Sequence, residues 1–494
     1  MNAVEAATLT FLAFAIAGTL PAVAIAGQSG ATPPLAILVG AVETAMAGVC
    51  ALVIASTILP WFLLISVLGA LLSLPSLIRR HRRQPVAERS AHRSSQIPSI
   101  ATMTALVLTL AVCLVPLRVP SVGWDARAIW LLRSSWFLQG HEYLLFAMRD
   151  ATQSGLIAHA SYPPLVSTAA ALSWQLTGNH SDRLGVVVVT LLNASATLAT
   201  AWVIVEIGRI AGRKQEPQRR ARFAELIGAV CAVLFVLVAF DVFGPFATNG
   251  YADPLWSMAA AGAIGYGLIL PCSRRNVGAA AILLAVSGLT KTEGTATAII
   301  LVILISTRYA LDVVWPRLHE PPDLVPRHRL MVAGRALWPV TACCTAAIVC
   351  LSLWPALVKV LHTARDVNTS GSRQGTWGSR WHETVTAIAP YLHLLLLAVP
   401  VAVVSGLVLS RLRSDLGLGN DLWAWLGLLG GMVVVAAAYV SGPGNTAFWL
   451  LTSVHRTTMF PVTAAWLIIA VWTVLALVSL GAPKAQVSAP EEVS

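Results

Sequence analysis

Charge is what this 494-residue sequence has least of. Only 11% of its residues are Asp, Glu, Lys or Arg, while 57% are hydrophobic and mean hydropathy is +0.75. Soluble domains carry about a quarter charged residues, so this chain cannot cover a globule with polar surface. That excludes a cytosolic enzyme, a nucleic-acid binder and a disordered scaffold, and puts most of the chain in lipid. Lysine is nearly missing: Lys214, Lys291, Lys359 and Lys484 stand against 29 Arg. With the richness in Ala, Val and Gly, this bias fits a GC-rich bacterial genome. Spaced cysteine motifs are missing as well. Cys50, Cys113, Cys231, Cys272, Cys343, Cys344 and Cys350 fall in or beside apolar runs with no CxxC, so neither a disulfide framework nor a zinc site is expected. There is no glycine-rich phosphate loop or dinucleotide fingerprint. Repeats of roughly 20 to 50 residues are absent too, which argues against a solenoid.

What the sequence does have is a succession of apolar runs, each about the 20 residues needed to cross the hydrocarbon. They lie near 8–27, 35–58, 60–78, 99–117, 185–208, 223–243, 254–272, 294–313, 336–359, 387–410, 422–441 and 457–480. Two shorter runs, 163–178 and 277–290, are too short to span comfortably. Basic residues set the orientation. They concentrate in the segments 79–93, 209–222, 274–275, 307–335 and 411–413, and with Lys484 these hold 22 of the 33 Lys and Arg. By the positive-inside rule these segments face the cytoplasm. Parity then requires 277–290 to cross and 163–178 to stay on one side. The expected fold is an all-α polytopic membrane protein of about 13 transmembrane helices, C-terminus inside, N-terminus outside, with amphipathic juxtamembrane helices in an external loop. No basic stretch precedes the first apolar run, which argues against a signal peptide. We divide the chain into a three-helix membrane module over 1–98 ending in a basic cytoplasmic loop, a catalytic membrane core over 99–480, and a disordered cytoplasmic tail over 481–494.

A charge at membrane depth costs roughly 2.5 to 3.5 kcal/mol on insertion scales, so each one needs a partner or a task. Four such clusters fall on the external side. The first is an amphipathic helix expected over Trp124–Phe137, where Ile129, Leu132 and Trp136 recur at helical spacing and Asp125 stands in the first turn. Asp125 reads either as the cap of an interfacial helix or as an acid at the rim of a cavity. The second is Asn249-Gly250-Tyr251-Ala252-Asp253-Pro254, in which Asp253 is either a helix start signal or a second acid facing the same vestibule. The third is Thr290-Lys291-Thr292-Glu293-Gly294, a self-neutralising pair or an ammonium held ready for a phosphate. The fourth is Ser453-Val454-His455-Arg456, where Arg456 begins the last helix and either snorkels or faces the vestibule.

These residues resemble the GT-C superfamily of integral-membrane glycosyltransferases. The resemblance is carried by Trp124-Asp125-Ala126-Arg127-Ala128-Ile129-Trp130-Leu131-Leu132-Arg133, by Tyr162-Pro163-Pro164-Leu165, by Gly250-Tyr251-Ala252-Asp253-Pro254-Leu255 and by Thr290-Lys291-Thr292-Glu293-Gly294, in that order over about residues 99–460. It implies transfer of a sugar from a polyprenyl-phosphate donor of the mannosyl or arabinosyl type to an envelope glycan, lipid or protein acceptor, outside a bacterial cell membrane and with inversion. Asp125 and Asp253 are the implied catalytic acids, with Lys291, Arg456 and Arg133 on the donor phosphate. Trp124, Trp130, Tyr162, Tyr251, Glu293 and His455 are the implied acceptor or pocket residues. Related members often carry Lys where Arg133 stands and an acid where His455 stands. Many use a divalent cation, Mg or Mn, although no ligand set in this sequence compels one. A lipid or glycan transporter or flippase, and a non-catalytic subunit of an envelope-assembly complex, are the alternative readings.

Overall fold

The computed structural model describes residues 2–83, 96–150, 159–213, 218–318, 326–364, 375–393, 400, 408–410, 412–442 and 445–480, and among these no strand occurs. The expected disordered tail over 481–494, most of the basic loop over 84–95 and most of the apolar run at 387–410 lie outside the described residues.

Among the described residues, nine helices are long and apolar enough to cross a membrane: Ala3–Ala26, Thr32–Val53, Ile58–Arg79, Asp182–Arg213, Arg220–Ala247, Thr292–Val314, Val340–Val360, Asp421–Ser441 and Thr446–Leu480. All nine coincide with apolar runs read from the sequence. The chain is thus a helical, multi-pass membrane protein. Three of the other four expected crossings are helical but shorter. They are the 14-residue Ile100–Cys113, the 12-residue Asp253–Ile264 prolonged by a five-residue π turn, and the 17-residue Arg274–Thr290.

The order of elements follows the hydropathy. Helices α1 (Ala3–Ala26), α2 (Thr32–Val53) and α3 (Ile58–Arg83) form an N-terminal hairpin series, followed by α4 (Gln96–Cys113). Next come α5 (Leu132–Trp136), α6 (His141–Arg149) and α7 (Leu165–Thr177), all short. Helices α8 (Asp182–Arg213), α9 (Gln218–Phe243), α10 (Asp253–Ile264), α11 (Arg274–Thr290) and α12 (Thr292–Tyr309) build the centre of the bundle. After α13 (Trp315–Leu318) and α14 (Pro326–Val360), the chain closes with α15 (Trp377–Ile388), α16 (Asp421–Ser441), α17 (Thr446–Thr457) and α18 (Met459–Leu480). The most enclosed helices are α8, α10 and α11, whose residues are buried on nearly every side. A helix apolar all round belongs at such a centre. Helices α1 and α2 pack against α8 and α11, so the N-terminal helices interlock with the rest of the bundle.

Helix α7 stays at one end. Its 13 residues rise about 20 Å at 1.5 Å each, short of a hydrocarbon core of about 30 Å. Both of its ends are tied to the same end of the bundle. The Trp354 indole, near the end of α14, donates to the Ser161 carbonyl just before α7 (3.0 Å), and the Leu59 N–H at the start of α3 donates to Gln175 near its end (3.1 Å). The opposite end has its own ties. The Gly419 N–H donates to the Ile269 carbonyl (2.8 Å), Arg308 donates to Asp312 (3.0 Å) and to the Gly267 carbonyl (2.9 Å), and Arg413 pairs with Asp421.

Candidate functional site

At the α7 end, five charged side chains form a continuous alternating chain. Arg456 pairs with Asp125 and lies 3.7 Å from Asp253; Lys291 is 2.8 Å from Asp253 and 3.4 Å from Glu293. They come from four separate stretches of sequence, and the order in space is acid, base, acid, base, acid. Side-chain exposure is 2% for Asp253 and 7% for Lys291, with Asp125 and Arg456 more open. The two terminal acids, Asp125 and Glu293, are equally exposed at 17%, and the most buried groups lie between them.

Local structure explains how each group arrives. Asp253 is the first residue of α10, with Pro254 beside it at the position where a missing N–H costs nothing. Ala252, not Asp253, occupies the cap position, and the Asp253 carboxylate turns to Lys291 and Arg456 instead of capping the helix. Asp125 does stand at a cap position, before a π-helical turn over Ala126–Leu131, but its carboxylate makes no capping bond and goes to Arg456. The expected helix over Trp124–Phe137 is thus a π turn followed by α5. The Leu132 N–H reaches back to the Arg127 carbonyl, which widens the turn. Lys291 is extended (φ −152°, ψ 155°) between α11 and α12, so these helices meet at one residue. Arg456 differs from its expected position: it lies in the last turn of α17, ahead of α18, and is turned inward to the acids rather than outward to headgroups.

Two glycines let the loops come together. The Gly123 N–H donates to the Asn249 carbonyl (2.9 Å), joining the loop before Asp125 to the loop before Asp253, and a Cβ at Gly123 would collide with the Tyr251 ring. Gly250 has φ +86°, in the region that disfavours side chains, and a Cβ there would come within 2.9 Å of Ala126 and 3.0 Å of Val186.

Tyr251 closes one side of the cluster. The Arg456 guanidinium lies 5.0 Å from its ring centroid, a cation–π distance, and the Asp125 N–H points at its hydroxyl (3.5 Å). Burial and the neighbouring Asp125 carboxylate push the Tyr251 phenol above its ordinary pKa, although Arg456 pulls the other way. Burial acts against the Lys291 ammonium, but Asp253 and Glu293 outweigh it and hold Lys291 above the ordinary lysine value. Lys291 is therefore a fixed cation at neutral pH.

The other sequence candidates divide into neighbours and outliers. Tyr162 lies within electrostatic reach of Lys291 and stacks between Trp130 (5.6 Å) and His159 (4.7 Å). Arg133 is 2% exposed and does not join the ion cluster. Its guanidinium donates to the Tyr162 carbonyl (2.7 Å) and lies 5.7 Å from the Trp354 ring centroid. His455 stacks on Tyr391 (5.6 Å) with its Nε2 3.3 Å from the Val242 carbonyl, next to the cluster but outside it. Trp124 is 65% exposed. Sequence reasoning missed Tyr439 of α16, whose hydroxyl is shared with Ser453 and Thr457 (2.8 Å each) and which lies within electrostatic reach of Lys291 and Glu293. Nothing but its place at the end of an apolar run distinguishes it in the sequence.

Chemically, the arrangement offers a partly exposed carboxylate at each end, with two fixed cations and the buried Asp253 between them. Among the described residues no group of three or more His, Cys, Asp or Glu side chains could hold a metal ion. The carboxylates that come closest to doing so are already bridged by Arg456 and Lys291, so this donor set does not fit a divalent cation. In comparisons with known proteins, the chain matches no family model, no curated protein and no solved structure.

Proposed function

We propose that this protein is a GT-C-like membrane glycosyltransferase that moves a sugar from a polyprenyl-phosphate donor to an envelope glycan, lipid or protein acceptor on the external face of a bacterial cell membrane. The observation that carries the reading is the alternating chain Asp125–Arg456–Asp253–Lys291–Glu293 at the α7 end of the bundle. A lipid phosphate leaving group needs cations, and an attacking hydroxyl needs a base; the cluster has both. In the proposed step the acceptor oxygen bonds to the anomeric carbon as the bond from that carbon to the phosphate oxygen breaks. The electron pair leaves with the polyprenyl phosphate, the hydroxyl proton passes to Asp125, and the anomeric configuration inverts. Arg456 and Lys291 balance the leaving charge, while Asp253 and Glu293 position the two cations. With the basic segments cytoplasmic, the α7 end is external and the crossings number about 13. No step requires a metal.

The test is reconstitution of the full chain in nanodiscs with a panel of polyprenyl-phosphate sugars, with product formation followed by mass spectrometry. Transfer by the wild-type chain and its loss in Asp125→Asn support the reading. Movement of lipid-linked substrate across proteoliposomes without a covalent product would replace it with the transporter reading. Activity only in the presence of other envelope proteins would favour the subunit reading.

A further inference from the structure

Beside the π-helical turn lies an open cleft of about 500 Å³. Its walls come from the turn itself, from α5, from the end of α7 and from the start of α8. Arg127 and Asp182 form an exposed ion pair on its wall (3.2 Å), Gln139 and His180 add further polar groups, and Leu132 and Trp174 supply apolar wall. The volume is that of an ordinary ligand cleft.

The lining selects among ligands. Arg127 is already paired with Asp182, so the cleft offers an anion no free cation, and the carboxylate repels one. The same pair, with Gln139 and His180, presents hydrogen-bond donors and acceptors side by side in a site of little net charge. Apolar wall alongside such groups matches a ring with C–H faces and hydroxyl edges. The cleft and the ion cluster also share one element: Arg127 stands two residues after Asp125 on the same turn. π-helical turns occur often where a helix is reshaped for function.

We propose that this cleft binds an uncharged, hydroxyl-rich saccharide, and that the saccharide is the non-reacting part of the acceptor. The acceptor role rests on the glycosyltransferase reading; the saccharide class rests on the lining alone. Binding energy from a ring held in this cleft would orient the hydroxyl that reacts.

The experiment uses the full chain in nanodiscs, with neutral oligosaccharides of two to four rings and glycolipids bearing the same headgroups as probes. Saturation-transfer NMR reads binding and mass spectrometry reads transfer. Binding of a saccharide that weakens about tenfold or more in Gln139→Trp and in Arg127→Ala, yet persists in Asp125→Asn, supports the proposal. Preference for the free oligosaccharide or for the glycolipid identifies the acceptor's source. Equal binding in Gln139→Trp and wild type, or no binding by any probe, overturns the saccharide site. Saccharide binding that depends on the cleft, without transfer from any donor, leaves the site standing and overturns its role as the acceptor site. Because Gln139 and Arg127 are exposed, both variants are expected to fold, and an unchanged thermal transition checks this.

Discussion

Arg456 holds Asp125 and Asp253 at once, although the three residues are brought by the π turn, α10 and α17 from opposite ends of the sequence. One guanidinium between two carboxylates leaves neither acid free and neither repelling the other. In the proposed reaction Asp125 is a masked base. An incoming phosphate competes for Arg456, and its arrival would release Asp125 to accept a proton.

The first prediction concerns that base. Asp125→Asn keeps the shape of the side chain, and Arg456 retains Asp253, so folding is expected to be preserved. Transfer is expected to fall about 100-fold or more, the usual loss when a general base is removed. Product formation by mass spectrometry, alongside thermal denaturation in nanodiscs, checks both halves. Full activity in this variant would remove Asp125 from the chemistry.

Arg456→Lys tests the bridge. Lysine keeps the charge but lacks the planar fork that lets a guanidinium serve two acids. The variant is expected to fold and to bind polyprenyl phosphate about tenfold more weakly, a difference of ~1.4 kcal/mol. Titration of the lipid phosphate into nanodiscs measures it, and unchanged affinity would return Arg456 to a purely structural role.

How much of this was legible in the sequence depends on the scale. Nine crossing helices coincide with apolar runs, because hydropathy over about 20 residues is fixed by composition alone. The members of the ion cluster were also legible, since Asp125, Asp253, Lys291, Glu293 and Arg456 are charges in positions where lipid makes charge costly. Beyond the local pair Lys291 and Glu293, their partners were not. Asp253 before Pro254 has the local look of a cap, and only the distant Lys291 and Arg456 draw its carboxylate away. Arg133 was read as a phosphate contact from its place in a motif, yet the aromatic ring of Trp354, 221 positions later, fixes it beside Tyr162. The cleft at Arg127 and Asp182 joins residues whose individual types are ordinary for a surface, so no local pattern signals it.

The buried pair Lys291–Asp253 lends itself to a double-mutant cycle. Lys291→Met takes the 2.8 Å partner from buried Asp253, leaving it only the more distant Arg456 at 3.7 Å, and is expected to destabilise the fold by up to about 3 to 5 kcal/mol. Adding Asp253→Asn removes that charge and is expected to recover a substantial part of the loss, because the two groups are coupled. Lipid-phosphate binding is expected to stay weak in the double variant even as stability returns. Recovery of both together would show that Lys291 serves the fold and not the ligand.

Gly250 offers a test of how the loops that carry Asp125 and Asp253 are held. Gly250→Ala places a methyl group at φ +86° and against Ala126 and Val186, both neighbours of the Asp125 turn. Backbone strain of this kind costs on the order of 1 to 3 kcal/mol. Relief by backbone movement would carry the Tyr251–Asp253 segment away from Asp125, so transfer is expected to fall further than stability accounts for. A loss of thermal stability with unchanged specific activity of the folded fraction would mean that the contact holds the bundle together but does not set the spacing of the acids. A fall in the rate of transfer at saturating donor, with donor affinity retained, would mean that it sets the distance between Asp125 and the acid behind it.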